Sequence, residues 1–151
     1  MREQYIRTAA LIGEAGLNTL RNSTVAVFGI GGVGSYAVES LVRSGVGCVY
    51  IYDNDTIALS NINRQIMADD TTVGRLKTEV MAERLKKINP EARVIENPIF
   101  ITPETEIDFL KFDYIIDAVD NVTAKLFLIE KAKEYNVPII SVMGTGNKLD
   151  T

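Results

Sequence analysis

Four glycines stand in the run Gly29-Ile30-Gly31-Gly32-Val33-Gly34, directly after the apolar stretch Val25 to Phe28. This G-x-G-x-x-G pattern lies between a predicted strand and a predicted helix, the context in which it carries meaning. Glycines permit a tight turn and close approach of the backbone to a ligand. The helix that follows offers free N–H groups and the positive end of its dipole, so the chemistry on offer is the cradling of phosphate. Gly29, Gly31, Gly32 and Gly34 are therefore candidate nucleotide-binding residues. The next predicted strand ends at Asp53, about twenty residues past the last glycine, where a carboxylate can accept hydrogen bonds from an adenosine ribose. Asp55 follows closely and is a further candidate. A glycine turn without a ligand has the same local pattern. The fingerprint does not separate NAD from ATP, since both present an adenosine ribose and phosphates.

Two cations add to it. Arg64 lies in Ser60-Asn61-Ile62-Asn63-Arg64-Gln65, and Lys77 opens a later helix. Cations beside an open phosphate site suit a triphosphate, whose leaving pyrophosphate develops charge. The pyrophosphate bridge of NAD is met mostly by backbone N–H groups. Taken singly, Arg64 is equally a solvated loop arginine and Lys77 an ordinary polar-face lysine. A further segment, Tyr114-Ile115-Ile116-Asp117-Ala118-Val119-Asp120-Asn121, is an apolar strand that ends in carboxylates. Ligands of open α/β sheets gather outside the carboxyl ends of strands. Asp120 is placed either to hold Mg²⁺, a hard cation that takes oxygen ligands, or to cap the next helix. Asp117 reads as structural.

The elements that must position these residues alternate along the chain. Helices are predicted over 8–20, 35–43, 76–88 and 124–135, with a short one from the Thr102-Pro103 cap to about Lys111. Strands are predicted over 25–28, 48–52, 94–99, 114–119 and 137–142, and 60–72 is a loop or broken helix. Ala9, Leu11, Ile12, Ala15 and Leu20 are available for a buried side of the first helix. In the 76–88 helix Leu76, Val80, Leu85 and Ile88 share a side, with Lys77, Glu79, Glu83 and Lys87 largely solvated. The alternation implies an α/β, Rossmann-like three-layer fold, with a mainly parallel sheet and helices on both faces. The 151 residues suit one domain, 1–151.

Composition narrows the chemistry. There is no histidine, which removes Ser-His-Asp triads, Cys-His pairs and His-ligated zinc from these residues. The one cysteine, Cys48, lies inside a predicted strand and reads as a buried apolar residue. A net charge of −4 gives no global basic footprint for nucleic acid or anionic membrane. No apolar run is long enough to span a membrane, and the N-terminus lacks a signal-peptide core, so the expected compartment is the cytoplasm.

Taken together, GIGGVG, the Asp53-Asn54-Asp55 strand end, SNINRQ, VGRLK and DAVDN resemble the ThiF/MoeB/HesA superfamily of adenylating enzymes, related to ubiquitin-activating enzymes. The resemblance covers nearly the whole chain and implies ATP and Mg²⁺. It assigns the glycine loop to the nucleotide, Asp53 to the ribose, and Asn61, Arg64 and Gln65 to the phosphates. Lys77 falls to the α-phosphate and Asp120 to Mg²⁺, with Asn121 beside it. Gln4-Tyr5-Ile6-Arg7 is similar to the segment whose arginine enters the neighbouring subunit's site, which implies a homodimer with Arg7 acting in trans. GVGSYAVESLVRSGVG, INRQIM, VGRLKTEVMAERLKKINPE and GTGNKLD look most like the branch that activates the carboxyl of threonylcarbamoyladenosine in tRNA for cyclisation. The alternatives are activation of the C-terminal glycine of a ubiquitin-like sulfur-carrier protein, a dinucleotide-binding oxidoreductase module, or a non-catalytic nucleotide-binding or dimerisation module. Gly144, Gly146, Asn147 and Lys148 follow the last strand and are equally a site for the acceptor or an ion and a glycine turn. The chain reads as the N-terminal part of a longer enzyme.

Overall fold

A computed structural model describes residues 3–143, so the four positions Gly144, Gly146, Asn147 and Lys148 lie outside the described residues. The strands are β1 (Thr24–Phe28), β2 (Cys48–Tyr52), β3 (Arg93–Asn97), β4 (Tyr114–Asp117) and β5 (Ile139–Ser141). They form one sheet in the order β3-β2-β1-β4-β5, and every neighbouring pair is parallel. The helices are α1 (Ile6–Asn22), α2 (Gly34–Ser44), α3 (Lys77–Ile88) and α4 (Val122–Glu134). The order runs outward from β1 to β3 and then resumes on β1's other side with β4. A crevice therefore opens between the carboxyl ends of β1 and β4, where sheets of this kind take their ligands.

Side-chain alternation along β1 divides the core in two. Val25 and Val27 join Val38, Val42, Met81 and Leu85 on the α2–α3 face. Ala26 and Phe28 join Phe109, Phe112, Ile115, Phe127 and Leu128 on the α4 face. Both faces are covered, which is why the central strands read as continuous apolar runs. Among the described residues no helix is long and apolar enough to cross a membrane. Cys48 is buried at the start of β2.

Several expected elements differ. The helix expected from Thr102 to Lys111 is absent. A turn closes from the Thr105 N–H to the Thr102 carbonyl, while Thr105 Oγ1 accepts from the Thr102 N–H, and only Phe109–Lys111 makes a single 3₁₀ turn. Local threonine bonds compete with the helical ladder here. β3 stops at Asn97, before Pro98, and β5 begins after Pro138, since proline brings no donor to a ladder. β4 ends at Asp117, where the carboxylate accepts the Val119 N–H and turns the chain. The first helix runs further at both ends than expected and is broken at Gly13, which has φ of +72°. Its buried residue is Leu17, whereas Leu11 is 88% exposed and Ile12 and Ala15 are also exposed. The kink at Gly13 separates the exposed Leu11 and Ile12 from the half of α1 that holds Leu17. Lys77, expected in solvent, is buried.

Candidate functional site

Outside the carboxyl ends of β1, β2 and β4 lies a cavity of about 720 Å³. Its floor is the glycine loop. Gly29 has φ of +87°, and a side chain there would meet the Ala118 carbonyl oxygen at 2.6 Å. A side chain on Gly34 would collide with the carbonyl of Gly29, so these glycines let the loop lie flat against the end of β4. Gly29, Gly31 and Gly32 line the cavity, and Gly34 sits buried behind them. α2 opens with no side-chain cap: its N-cap residue, Val33, makes no side-chain hydrogen bond. The helix start therefore offers N–H donors and a positive dipole end beside the cavity.

Asp53 ties β2 to this loop. One carboxylate oxygen accepts the Ile30 N–H at 2.7 Å and the other accepts the Asp55 N–H at 2.8 Å. A carboxylate has about four acceptor positions, so hydroxyl donors can still be met. Asn61 lines the wall, with its side-chain oxygen accepting the Ala58 N–H at 2.9 Å. Arg64 also lines it. One guanidinium nitrogen donates to the Ser60 carbonyl and the Asn63 side chain, both at 2.9 Å. Gln65 is buried beside Gly31, and among the described residues its Oε1 has no hydrogen-bond partner. Lys77 reaches the cavity from the first position of α3, where Nζ donates to Asp55 Oδ2 at 2.8 Å.

Asp120 closes the opposite side, exposed and, among the described residues, without a side-chain partner. The cap that Asp120 was one candidate for is made by Asn121, whose side-chain oxygen accepts the Ala124 N–H at 2.9 Å. Among the described residues there is no cluster of three or more metal-ligating side chains. A single free carboxylate at a phosphate-sized cavity fits Mg²⁺, which takes one or two carboxylates and completes its shell from phosphates and water. Arg7 is exposed on α1 and does not line this cavity.

Two features escaped the sequence reading. The first is an apolar wall of Tyr52, Ile99, Phe100 and Ile101. Tyr52 stacks on Phe28, with centroids 4.3 Å apart, and burial pushes its phenol up to about 12. The second is a polar knot beneath the loop that carries Asp120. Asp117 is wholly buried, and its Oδ2 accepts from Lys125 Nζ at 2.8 Å and Ser141 Oγ at 2.6 Å. Lys125 also donates to the Val142 carbonyl at 3.2 Å. The signal for this knot was Asp117 itself, because a carboxylate inside an apolar strand demands a cation.

Among the described residues the site thus gathers N–H donors, two cations and the unpaired carboxylate of Asp120 around an apolar-walled cavity, an arrangement suited to a nucleoside polyphosphate with a divalent cation. The chain is 45% identical to the tRNA threonylcarbamoyladenosine dehydratase of Bacillus subtilis (strain 168), over 99% of this chain and 60% of the relative. It is 33% identical to the adenylyltransferase and sulfurtransferase UBA4 of Saccharomyces cerevisiae, over 90% of this chain and 31% of the relative. The E. coli tRNA N6-threonylcarbamoyladenosine dehydratase, solved in complex with ATP, superposes with a TM-score of 0.93 at 40% identity, over 99% of this chain and 62% of that one. The chain therefore spans about 60% of the length of the dehydratase it matches. With the family's model matching residues 4–149, the chain belongs to the ThiF family.

Proposed function

We propose that the chain is the nucleotide-binding part of an enzyme that adenylates a carboxylate with ATP, and that this carboxylate is the one on threonylcarbamoyladenosine in tRNA, a substrate met in the cytoplasm. The observation that carries the reading is the convergence of an uncapped helix start, Arg64, Lys77 and Asp120 on one cavity. The glycine loop lies along the phosphates, Asp53 takes the ribose hydroxyls, and the wall around Tyr52 faces the base. Asn61, Arg64, Gln65 and Lys77 meet the phosphates.

The substrate's carboxylate oxygen forms a bond to the α-phosphorus while the bond to the pyrophosphate oxygen breaks. The products are an acyl-adenylate and pyrophosphate, and cyclisation then releases AMP. A carboxylate is already ionised at pH 7, so the step needs no general base, in keeping with a chain that has no histidine. Lys77 and Arg64 stabilise the charge that moves onto the leaving oxygens. Asp120 is the residue that would hold Mg²⁺, which would offset the negative charge of the phosphates. Arg7 acts on the site of a partner subunit in a homodimer. Its exposure on α1, among the exposed apolar residues Ile6, Leu11 and Ile12, supports that reading.

A second reading, adenylation of the C-terminal glycine of a ubiquitin-like sulfur carrier, draws on the 33% identity to the yeast sulfurtransferase. ATP–pyrophosphate exchange measured on the full-length protein separates the two, with modified tRNA in one arm and a sulfur carrier in the other. Exchange with the tRNA alone is expected. Exchange with the carrier alone selects the second reading, and binding of ATP or NAD(H) without any exchange rejects both. In the same assay Lys77→Ala should lower exchange by about 100-fold or more, since it removes a donor aimed at the developing charge. Near-wild-type exchange in that variant would remove Lys77 from the mechanism.

A further inference from the structure

Lys77 is held in an unusual way for a phosphate-binding lysine. Its side chain is 7% exposed, and its ammonium group is paired with the carboxylate of Asp55, whose own side chain is 59% exposed at the cavity rim. The pairing is built into the backbone. The Lys77 N–H donates to the Asp55 carbonyl at 3.1 Å, Thr56 and Leu76 form an antiparallel bridge, and the Ile57 N–H donates to the Arg75 carbonyl at 2.8 Å. Residues 55–57 and 75–77 thus lie side by side in a short ladder that fixes Asp55 opposite Lys77. Asp53 extends the connection, with one oxygen on the Asp55 N–H and the other on Ile30 in the glycine loop.

A carboxylate at the wall of a phosphate site repels the ligand unless something else uses its charge. The ribose position is already served by Asp53, and the ammonium that accepts Asp55's charge is the cation assigned to the phosphates. An ammonium has three donors; Asp55 takes one and leaves two. A long, flexible lysine tethered at one donor has its remaining donors aimed before the substrate arrives, which is where electrostatic catalysis gains over a freely rotating cation.

We infer that Asp55 is a positioning residue: it does not touch the nucleotide but holds the Lys77 ammonium toward the α-phosphate. This role rests on the adenylation reading above. It predicts a split that a nucleotide ligand would not give. Removing Asp55 frees the lysine and also takes an anion away from the phosphates, so turnover falls while ATP binding is kept or tightened.

The test measures ATP affinity by calorimetry and the exchange rate at saturating ATP on the full-length protein, for the wild type, Asp55→Asn and Asp55→Glu. Asp55→Asn should lower the exchange kcat by about tenfold, with the ATP Kd unchanged or lower. Asp55→Glu, which keeps a carboxylate within reach of Nζ, should recover most of the lost rate. An unchanged kcat in Asp55→Asn overturns the role. So does a Kd weakened by about tenfold, because that marks Asp55 as a direct ligand of the nucleotide. A wild type that binds ATP but exchanges with no carboxylate overturns the adenylation reading itself and this role with it, whereas an active wild type with either contrary Asp55 result overturns this role alone.

Discussion

Lysine is among the residues least often buried, and this chain buries two beside its cavity, Lys77 and Lys125. Their partners show that the two serve different ends. Lys77 pairs with an exposed carboxylate and keeps donors to spare, while Lys125 is spent on the wholly buried Asp117 and the Val142 carbonyl. Lys125 therefore belongs to the framework. Lys125→Met should destabilise the fold by about 3–5 kcal/mol, because it leaves Asp117 charged and short of its cation. Adding Asp117→Asn should return part of that loss. Urea denaturation of the single and double variants checks it, and a single-variant loss under about 1 kcal/mol would show that Ser141 and the Val119 N–H satisfy Asp117 by themselves. This contrast also marks what the sequence could reveal. Glycines between a strand and a helix marked the loop, and Gly29, Asp53, Arg64, Lys77 and Asp120 became candidates only in combination with it, since taken singly Arg64, Lys77 and Asp120 each have an ordinary reading. All of them line the cavity. Lys125 was not, because on α4 it has the spacing of an ordinary solvated lysine and only the tertiary fold sets it over Asp117.

At the scale of elements, the site is made where strands stop and helices start. α4 begins two residues after Asp120, and its first turn is closed by the intervening Asn121, whose side chain satisfies the Ala124 N–H. Asn121→Ala should cost about 1 kcal/mol of stability, the ordinary worth of an N-cap, and Asn121→Asp should be nearly neutral because aspartate caps as well. Equal losses in the two variants would mean that the side chain acts on something other than the cap. On the far face, Glu39 of α2 accepts from Arg43 and from Arg84 of α3, joining the helix that starts at the glycine loop to the one that starts at Lys77. Burial raises the Glu39 carboxyl, but the arginine hydrogen bonds outweigh it and hold the group below its usual range. That tie contributes stability above the unfolded carboxylate pKa of about 4.3, and it is lost as pH falls through the lower folded value. Element types in the sheet were legible from apolar runs of strand length between glycines and prolines. The segment after Pro103 was not. Its threonines offered a cap in sequence but closed a turn instead, and nothing in the pattern of Ile107 and Phe109 told helix from an irregular chain packing both against the α4 face. The exposure of Leu11 was equally hidden, since helical spacing assumes an unbroken helix and α1 is broken at Gly13.

Across the whole molecule, the cavity and the core share one wall. Tyr52 is counted in the α4-face core and also lines the cavity, stacked on Phe28 from the neighbouring central strand. Its phenol is pushed up to about 12 by burial, with the nearby Tyr50 adding to the shift. A phenol exposed on unfolding ionises near 10. The sign follows from linkage: above pH 10 the unfolded state releases a proton that the folded state keeps, so folding weakens as pH rises from about 10 through 12. The full shift of about two units corresponds to roughly 2–3 kcal/mol, approached only at the top of that window. Tyr52→Phe keeps the ring and its stacking and removes the ionisable group, so it should be close to wild type at pH 8 and lose less stability than wild type between pH 9 and 11.5. Thermal or urea unfolding across that range reads the difference. An identical alkaline loss in both proteins would assign the effect to other groups. If instead the two diverge, the alkaline loss belongs to the Tyr52 phenol, held un-ionised by the packing that the cavity wall and the α4-face core share.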